Sequence, residues 1–258
     1  MLTYLLPSLA AFLTAGLTFF SGFGLGTVLL PVFALFFPVE VAIGLTAVVH
    51  LANNLFKLAL VGKYANIGIV LRFGLPALLA AFLGAEALLR LSHLPPLANW
   101  QAFGHTFQVA PIKLVVALLM AVFAVLEIHP ALAGFSLPPG WLPLGGVLSG
   151  FFGGLSGHQG ALRSIFLLKC SLSKEAFIST GVIIACLVDL SRLAVYAEGF
   201  PPHLIRDNAG PLAAAMAAAL LGSSLGRRLL PKVTLRFVQV LVAGLLFLVA
   251  LGLAGGMI

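Results

Sequence analysis

The chain has 258 residues, of which 61% are apolar and only 8% charged, with a mean hydropathy of +1.17. A soluble domain carries about 25% charged residues, so a water-facing globule is excluded and an all-α polytopic membrane protein, whose outer surface stays apolar, is expected instead. The formal charge of +7 does not point to nucleic acid, because the Lys and Arg are spread between apolar runs without a basic tract.

A crossing needs about 20 apolar residues rising ~1.5 Å each. Eight apolar segments meet that rule, at about 3–36 (broken), 39–61, 66–90, 109–127, 141–170 (broken), 174–197, 208–230 and 233–256. Met1-Leu2-Thr3-Tyr4 lacks the basic start of a signal peptide, so the first run is expected to be a membrane helix. The loop near 91–110, with His93, Trp100, Gln101 and His105, reads as an interfacial segment without an assigned role. Cys170 and Cys186 both lie in apolar runs and read as packing residues.

Two segments are interrupted by glycine. The first reads Phe19-Phe20-Ser21-Gly22-Phe23-Gly24-Leu25-Gly26-Thr27, and the fifth Phe151-Phe152-Gly153-Gly154-Leu155-Ser156-Gly157-His158-Gln159-Gly160. Each glycine weakens a helix by about 1 kcal/mol relative to Ala. Irregular backbone at membrane depth survives only where protein or a wet cavity satisfies it. Both stretches are therefore expected to be breaks in membrane helices. Pro31, Pro76 and Pro211 are expected to kink or start helices.

The breaks expose an internal repeat. Phe19-Phe20-Ser21-Gly22 matches Phe151-Phe152-Gly153-Gly154; Ala42 and Thr46 match Ala176 and Thr180; Asn54, Lys57, Leu58 and Ala59 match Asp189, Arg192, Leu193 and Ala194. The expected division is a first transmembrane repeat over 1–128 and a second over 129–258, joined by the Pro- and Gly-rich stretch from Ile128 to Gly140. Interrupted segments at corresponding places in two halves are the best sequence pointer to a transport site. Parallel and inverted arrangements of the halves both remain open at this stage.

Loop cations set the orientation. With eight crossings, Arg90, Lys113, Lys169, Lys174, Arg227, Arg228, Lys232 and Arg236 collect on one side and Lys63, Arg72 and Arg206 on the other. This places the larger group in the cytoplasm and both termini outside it, in a cell inner membrane.

Polar side chains inside a span are costly and face partners or a cavity. The second segment carries Thr46, His50, Asn53, Asn54 and Lys57 on one helix face. The sixth carries Asp189, Arg192 and Tyr196 at i, i+3 and i+7. Asp189 and Arg192 can pair with each other, or Arg192 can bind an anion while Asp189 supports it or exchanges a proton. In the fifth, Gly160 is expected to open a half-helix whose unpaired N–H groups and dipole attract anions. His158 and Gln159 would sit at that end, with Arg163 one turn in and Gly26-Thr27 as the matching end of the first half. His158 reads either as a proton-coupling group or as a neutral imidazole bonded at the break; His50 reads as a helix-packing contact. Glu86 and Arg90 form an i, i+4 pair near a helix end. No Walker sequence, GxSxG elbow, HExxH or CxxC pair occurs, so no motor domain, familiar hydrolase, metal site or cofactor is indicated.

Ser156-Gly157-His158-Gln159-Gly160-Ala161-Leu162-Arg163-Ser164, followed by Asp189-Leu190-Ser191-Arg192 and Tyr196, together with Thr46-Ala47-Val48-Val49-His50 and Asn53-Asn54-Leu55-Phe56-Lys57, resembles the sulfite exporter TauE/SafE family of permeases. The resemblance covers most of the chain except the loop near 91–110. It implies a two-repeat permease of roughly eight spans that moves sulfite, sulfonates or other small sulfur-containing anions, often with proton coupling.

The resulting expectation is a proton-coupled secondary permease, not an enzyme, for a small sulfur anion. Lys57, Asn54, His158, Gln159, Arg163 and Arg192 would bind substrate, and Asp189, His50, Tyr196 and Thr46 would couple protons or support the site. The partners are the anion and the lipid bilayer, with assembly into a homo-oligomer left open. The rival readings are an uncoupled anion channel with the same residues, a membrane subunit without transport of its own, and an intramembrane enzyme using His158 and Asp189. The last lacks a nucleophile or ligand cluster at suitable spacing.

Overall fold

Leu79, Leu83, Leu118, Leu248 and Leu251 are each more than 60% exposed, whereas Lys57, Arg163, Asp189 and Arg192 are at most 4% exposed. Charged side chains inside and bare leucines outside suit solvation by hydrocarbon, not water. In this computed structural model, residues 1–21, 24–102, 104–129, 135–200, 206–229 and 235–258 are described.

The first interrupted segment forms α1 (Leu2–Ser21) and α2 (Leu25–Ala34). Next come α3 (Val39–Val61), α4 (Ile67–Ser92) and α5 (Pro111–Ile128). The second interrupted segment forms α6 (Leu142–Ser156) and α7 (Gly160–Leu167), followed by α8 (Lys174–Gly199), α9 (Ala209–Leu229) and α10 (Leu235–Ala254). The uninterrupted helices begin and end within two residues of the apolar segments read from sequence. Among the described residues, Val39–Tyr64, Ile67–Ser92, Lys174–Gly199 and Ala209–Gly226 are long and apolar enough to cross a membrane. The chain is an all-α membrane protein apart from one hairpin.

Local chemistry fixes the helix ends. Ser173 Oγ accepts from Ala176 N at 3.2 Å, and Glu175 lies in the first turn of α8, where the dipole favours negative charge. Asn66 Oδ1 accepts from Ile69 N at 3.1 Å to start α4. Residues Val70–Gly74 of α4 wind as a π-turn. The wider turn lies just ahead of Pro76, whose ring would otherwise strike the carbonyl four residues back. Pro31 lies inside α2, and Pro211 sits in the first turn of α9.

Four helix pairs dominate the packing: α1 with α9, α4 with α6, α3 with α8, and α5 with α10. Glycines let two of these pairs close to backbone contact. A Cβ added to Gly146, Gly150 or Gly154 of α6 would overlap the carbonyl oxygens of Phe73, Ala77 and Ala81 of α4 respectively. Gly222 and Gly226 of α9 meet the carbonyls of Phe12 and Gly16 of α1 in the same way. In hydrocarbon such close van der Waals packing replaces the hydrophobic effect as the force between helices.

The loop near 91–110 contains β1 (Ala98–Ala102) and β2 (His105–Val109), paired antiparallel from Ala98 opposite Val109 to Ala102 opposite His105. Trp100 stacks on Phe107 with ring centroids 4.5 Å apart, and its Nε1 donates to Gly255 O at 2.8 Å. The loop that sequence left without a role thus pins the chain just after α10. The Glu86–Arg90 pair is formed at 2.9 Å on an exposed surface.

Candidate functional site: two broken helices around a buried carboxylate

Both glycine-rich stretches are breaks. Gly24 has φ of 115° immediately before α2, and Gly157 has φ of 83° immediately after α6. Left-handed backbone of this kind favours glycine, which has no Cβ to strike its own carbonyl. Gly22 and Phe23 lie outside the described residues. The two breaks are neighbours: a Cβ built on Gly26 would lie 3.4 Å from Gly157 O, 3.8 Å from His50 Cδ2 and 4.0 Å from Thr46 Cγ2. The start of α2, the turn between α6 and α7, and the polar face of α3 therefore share one small buried volume.

Two helix N-termini open into this region. The first helical bond of α2 runs from Val28 N to Gly24 O, and that of α7 from Arg163 N to Gln159 O. The N–H groups preceding these donors have no acceptor within their own helix. Ser149 Oγ donates to Gln159 O at 2.9 Å, fixing the turn against α6.

Asp189 of α8 is the hub. Arg192 donates to its Oδ1 from Nε at 3.1 Å and Nη2 at 2.8 Å, and Gln159 Nε2 donates to the same oxygen at 3.3 Å. His50 Nδ1 lies 2.6 Å from Oδ2, and Asn54 Nδ2 donates to Oδ2 at 3.3 Å. One carboxylate with 0% exposure thus gathers α3, α8 and the second break. Arg192 also donates from Nη1 to Gly153 O at 3.4 Å, and the Tyr196 hydroxyl donates to Gly154 O. Those two residues brace the C-terminal end of α6. The pairing of Asp189 with Arg192 that the spacing allowed is therefore formed. His50 packs helices together as expected, though its partner is a carboxylate on the other half of the chain.

Lys57 and Arg163 are each 4% exposed and close enough for their like charges to repel. Arg163 Nη1 donates to Gln159 Oε1 at 3.4 Å. Gly181 of α8 makes room for its guanidinium, since a Cβ there would come within 3.3 Å of Nε. Among the described residues, Asp189 is the single buried carboxylate, set against Lys57, Arg163 and Arg192. Three cationic side chains thus face one carboxylate among the described residues. Burying like charges side by side is costly unless counter-charge lies near them.

His158 lies flat on Phe123 of α5, with centroids 5.1 Å apart and planes 6° from parallel. Its Nδ1 is 3.1 Å from Ser156 Oγ. His158 Nε2 and Thr46 Oγ1 are buried and have no hydrogen-bond partner among the described residues.

Sequence and structure part company at a few residues. Asn53 turns from the cluster and accepts from Ser223 Oγ of α9 at 2.6 Å. Phe123 and Ser149 touch this cluster although the residue pattern did not single them out, and Ser156 stood in the quoted break without an assigned role. Nothing distinguishes Phe123 from the other 20 phenylalanines, whereas the two serines inside a glycine-rich helix end were a readable signal. Cys170 and Cys186 are free thiols. Among the described residues, no group of three or more His, Cys, Asp or Glu is arranged to hold a metal.

The model of the family described as sulfite exporter TauE/SafE matches residues 8–253. The chain belongs to the TauE/SafE family. It is therefore a multi-pass membrane protein of a transporter family and not an enzyme, and its partners are the lipid bilayer and a small anion. No curated protein and no solved structure matches this TauE/SafE chain.

Proposed function

We propose that this TauE/SafE protein is a proton-coupled secondary transporter of a small sulfur-containing anion, such as sulfite or an organosulfonate, in the cytoplasmic membrane. The observation that carries the reading is the meeting of the breaks, where Gly26 lies against Gly157 O beside the buried cationic side chains Lys57, Arg163 and Arg192. The anion sits between the N-termini of α2 and α7, where N–H groups and helix dipoles favour negative charge. Lys57 and Arg163 supply the opposing charge, with Gln159 and Asn54 as polar contacts. Arg192, tied to Asp189 and Gly153 O, holds the second break in shape and contributes field more than direct contact.

The reading includes two repeats, 1–128 and 129–258, of four segments each. What supports it is the reciprocal pairing of helices. The first element of each half packs on the third of the other, the second elements pair, and so do the fourth. A two-fold relation between halves produces such a pattern. Rocking of one half against the other would then open the site alternately to each side. The orientation proposed from loop cations keeps both termini outside the cytoplasm.

The test is reconstitution into liposomes with sulfite inside and an imposed pH gradient. Wild type should accumulate sulfite against its gradient, and Lys57→Ala and Arg163→Ala should reduce uptake at least tenfold at unchanged folded yield. Uptake that only equilibrates sulfite would indicate a channel. Full activity in both variants would remove the proposed site.

A further inference from the structure

The polarity of one hydrogen-bond chain says which form of the anion the site selects. Ser156 Oγ donates its single proton to Phe152 O at 3.1 Å. With that proton on Phe152 O, the same oxygen, 3.1 Å from His158 Nδ1, accepts, and the matching tautomer carries its proton on Nδ1. In the neutral ring Nε2 is consequently a bare acceptor. It is buried, His158 being 2% exposed, and it has no partner among the described residues. The stack on Phe123 fixes the ring plane, so the lone pair cannot swing aside. A fully deprotonated oxyanion has only acceptors to offer and would meet this lone pair repulsively. An anion with one O–H or N–H would satisfy it.

Resting on the anion site proposed above, we infer that His158 Nε2 is a substrate-binding acceptor, and that the site selects a sulfur oxyanion bearing one hydrogen-bond donor over one without. Hydrogensulfite and hydroxyalkanesulfonates belong to the favoured class; sulfate, thiosulfate and simple alkanesulfonates to the disfavoured one. Thr46 Oγ1, the other unpartnered buried atom beside the breaks, is placed to donate to the anion's remaining oxygens. Between anions of equal charge the preference is a matter of hydrogen-bond complementarity, because the nearby charges attract both alike. The charged and titratable groups around the ring are Arg192 and Asp189 from α8, Arg163 from α7, and Lys57 and His50 from α3, while α5 presents the face of Phe123.

Calorimetric titration of the purified full-length protein tests this with two monoanions of equal charge, hydroxymethanesulfonate and methanesulfonate. Neither titrates near neutrality. Wild type should bind the hydroxy compound about fivefold more tightly, the worth of one hydrogen bond between neutral groups. His158→Phe keeps a ring against Phe123 but removes the acceptor, and should erase the difference between the two sulfonates. Ser156→Ala frees the tautomer and should narrow the preference. Sulfite affinity should fall as pH rises through its own second ionisation, while that for methanesulfonate stays level. Equal binding of the two sulfonates by wild type, or an undiminished preference in His158→Phe, would overturn the inference and leave the anion site standing. Failure of both sulfonates and of sulfite to bind would overturn the anion site as well.

Discussion

His50 of α3 places Nδ1 2.6 Å from Oδ2 of Asp189 on α8, joining residues 139 apart in the chain. Arg192 holds the other oxygen of the same carboxylate, so Asp189 ties its own helix to α3. Removing either end of a buried ion pair strands the other charge, at a cost of about 3–5 kcal/mol. Asp189→Ala and Arg192→Ala should each lower the melting temperature sharply. The double variant should be less destabilised than the sum of the two, because it leaves no orphaned charge. Thermal unfolding in detergent measures all three, and additive losses would show that the pair does not act as a unit.

Gly150 of α6 lies in backbone contact with Ala77 of α4. Gly150→Val should separate the helices and reduce the folded fraction seen by size-exclusion chromatography, with a cost of about 1–3 kcal/mol or more. Gly44 is the control: a Cβ there meets nothing within 4 Å, so Gly44→Ala should behave as wild type.

Gly157→Ala combines two penalties. The left-handed backbone costs a non-glycine residue about 1–2 kcal/mol, and a Cβ would sit 2.8 Å from Arg192 Nη1. The variant should fold in reduced yield and lose sulfite binding, since the second break and the guanidinium beside it must both shift. Normal binding by titration calorimetry would mean that the shape of the break is not needed.

At the periphery the effects should be small and separable from transport. Trp100→Phe removes the hydrogen bond to Gly255 O while keeping the stack on Phe107. It should lower stability by about 0.5–1.5 kcal/mol and leave uptake unchanged. Glu86→Ala breaks an exposed pair and should change stability by less than about 0.5 kcal/mol.

Helix positions were legible because hydropathy and length act locally. The run from Val39 to Val61, with Pro38 before it and Gly62 after it, carries its own ends. The breaks were legible for the same reason, as glycine clusters in apolar surroundings. Partners were less so. The i, i+3 spacing of Asp189 and Arg192 allowed their pairing, but no local pattern could add His50 to the carboxylate or turn Asn53 toward Ser223. Such contacts depend on which helices adjoin, and helices joined by loops do not announce that. The 98–109 hairpin was hidden for a different reason: a short strand pair in a loop competes with turn signals and leaves a weak alternation.

The pairing of α1 with α9 also governs the order in which the protein can be completed. The ribosome releases α1 well before α9, with some two hundred residues between Gly16 and its partner Gly226. Membrane helices insert before they associate, so α1 spends much of synthesis without its partner, its flank from Phe12 to Gly16 open to lipid. Translation arrested before Gly222 would leave inserted helices but no native bundle. A helix made some two hundred residues after α1 is thus what closes the bundle around it.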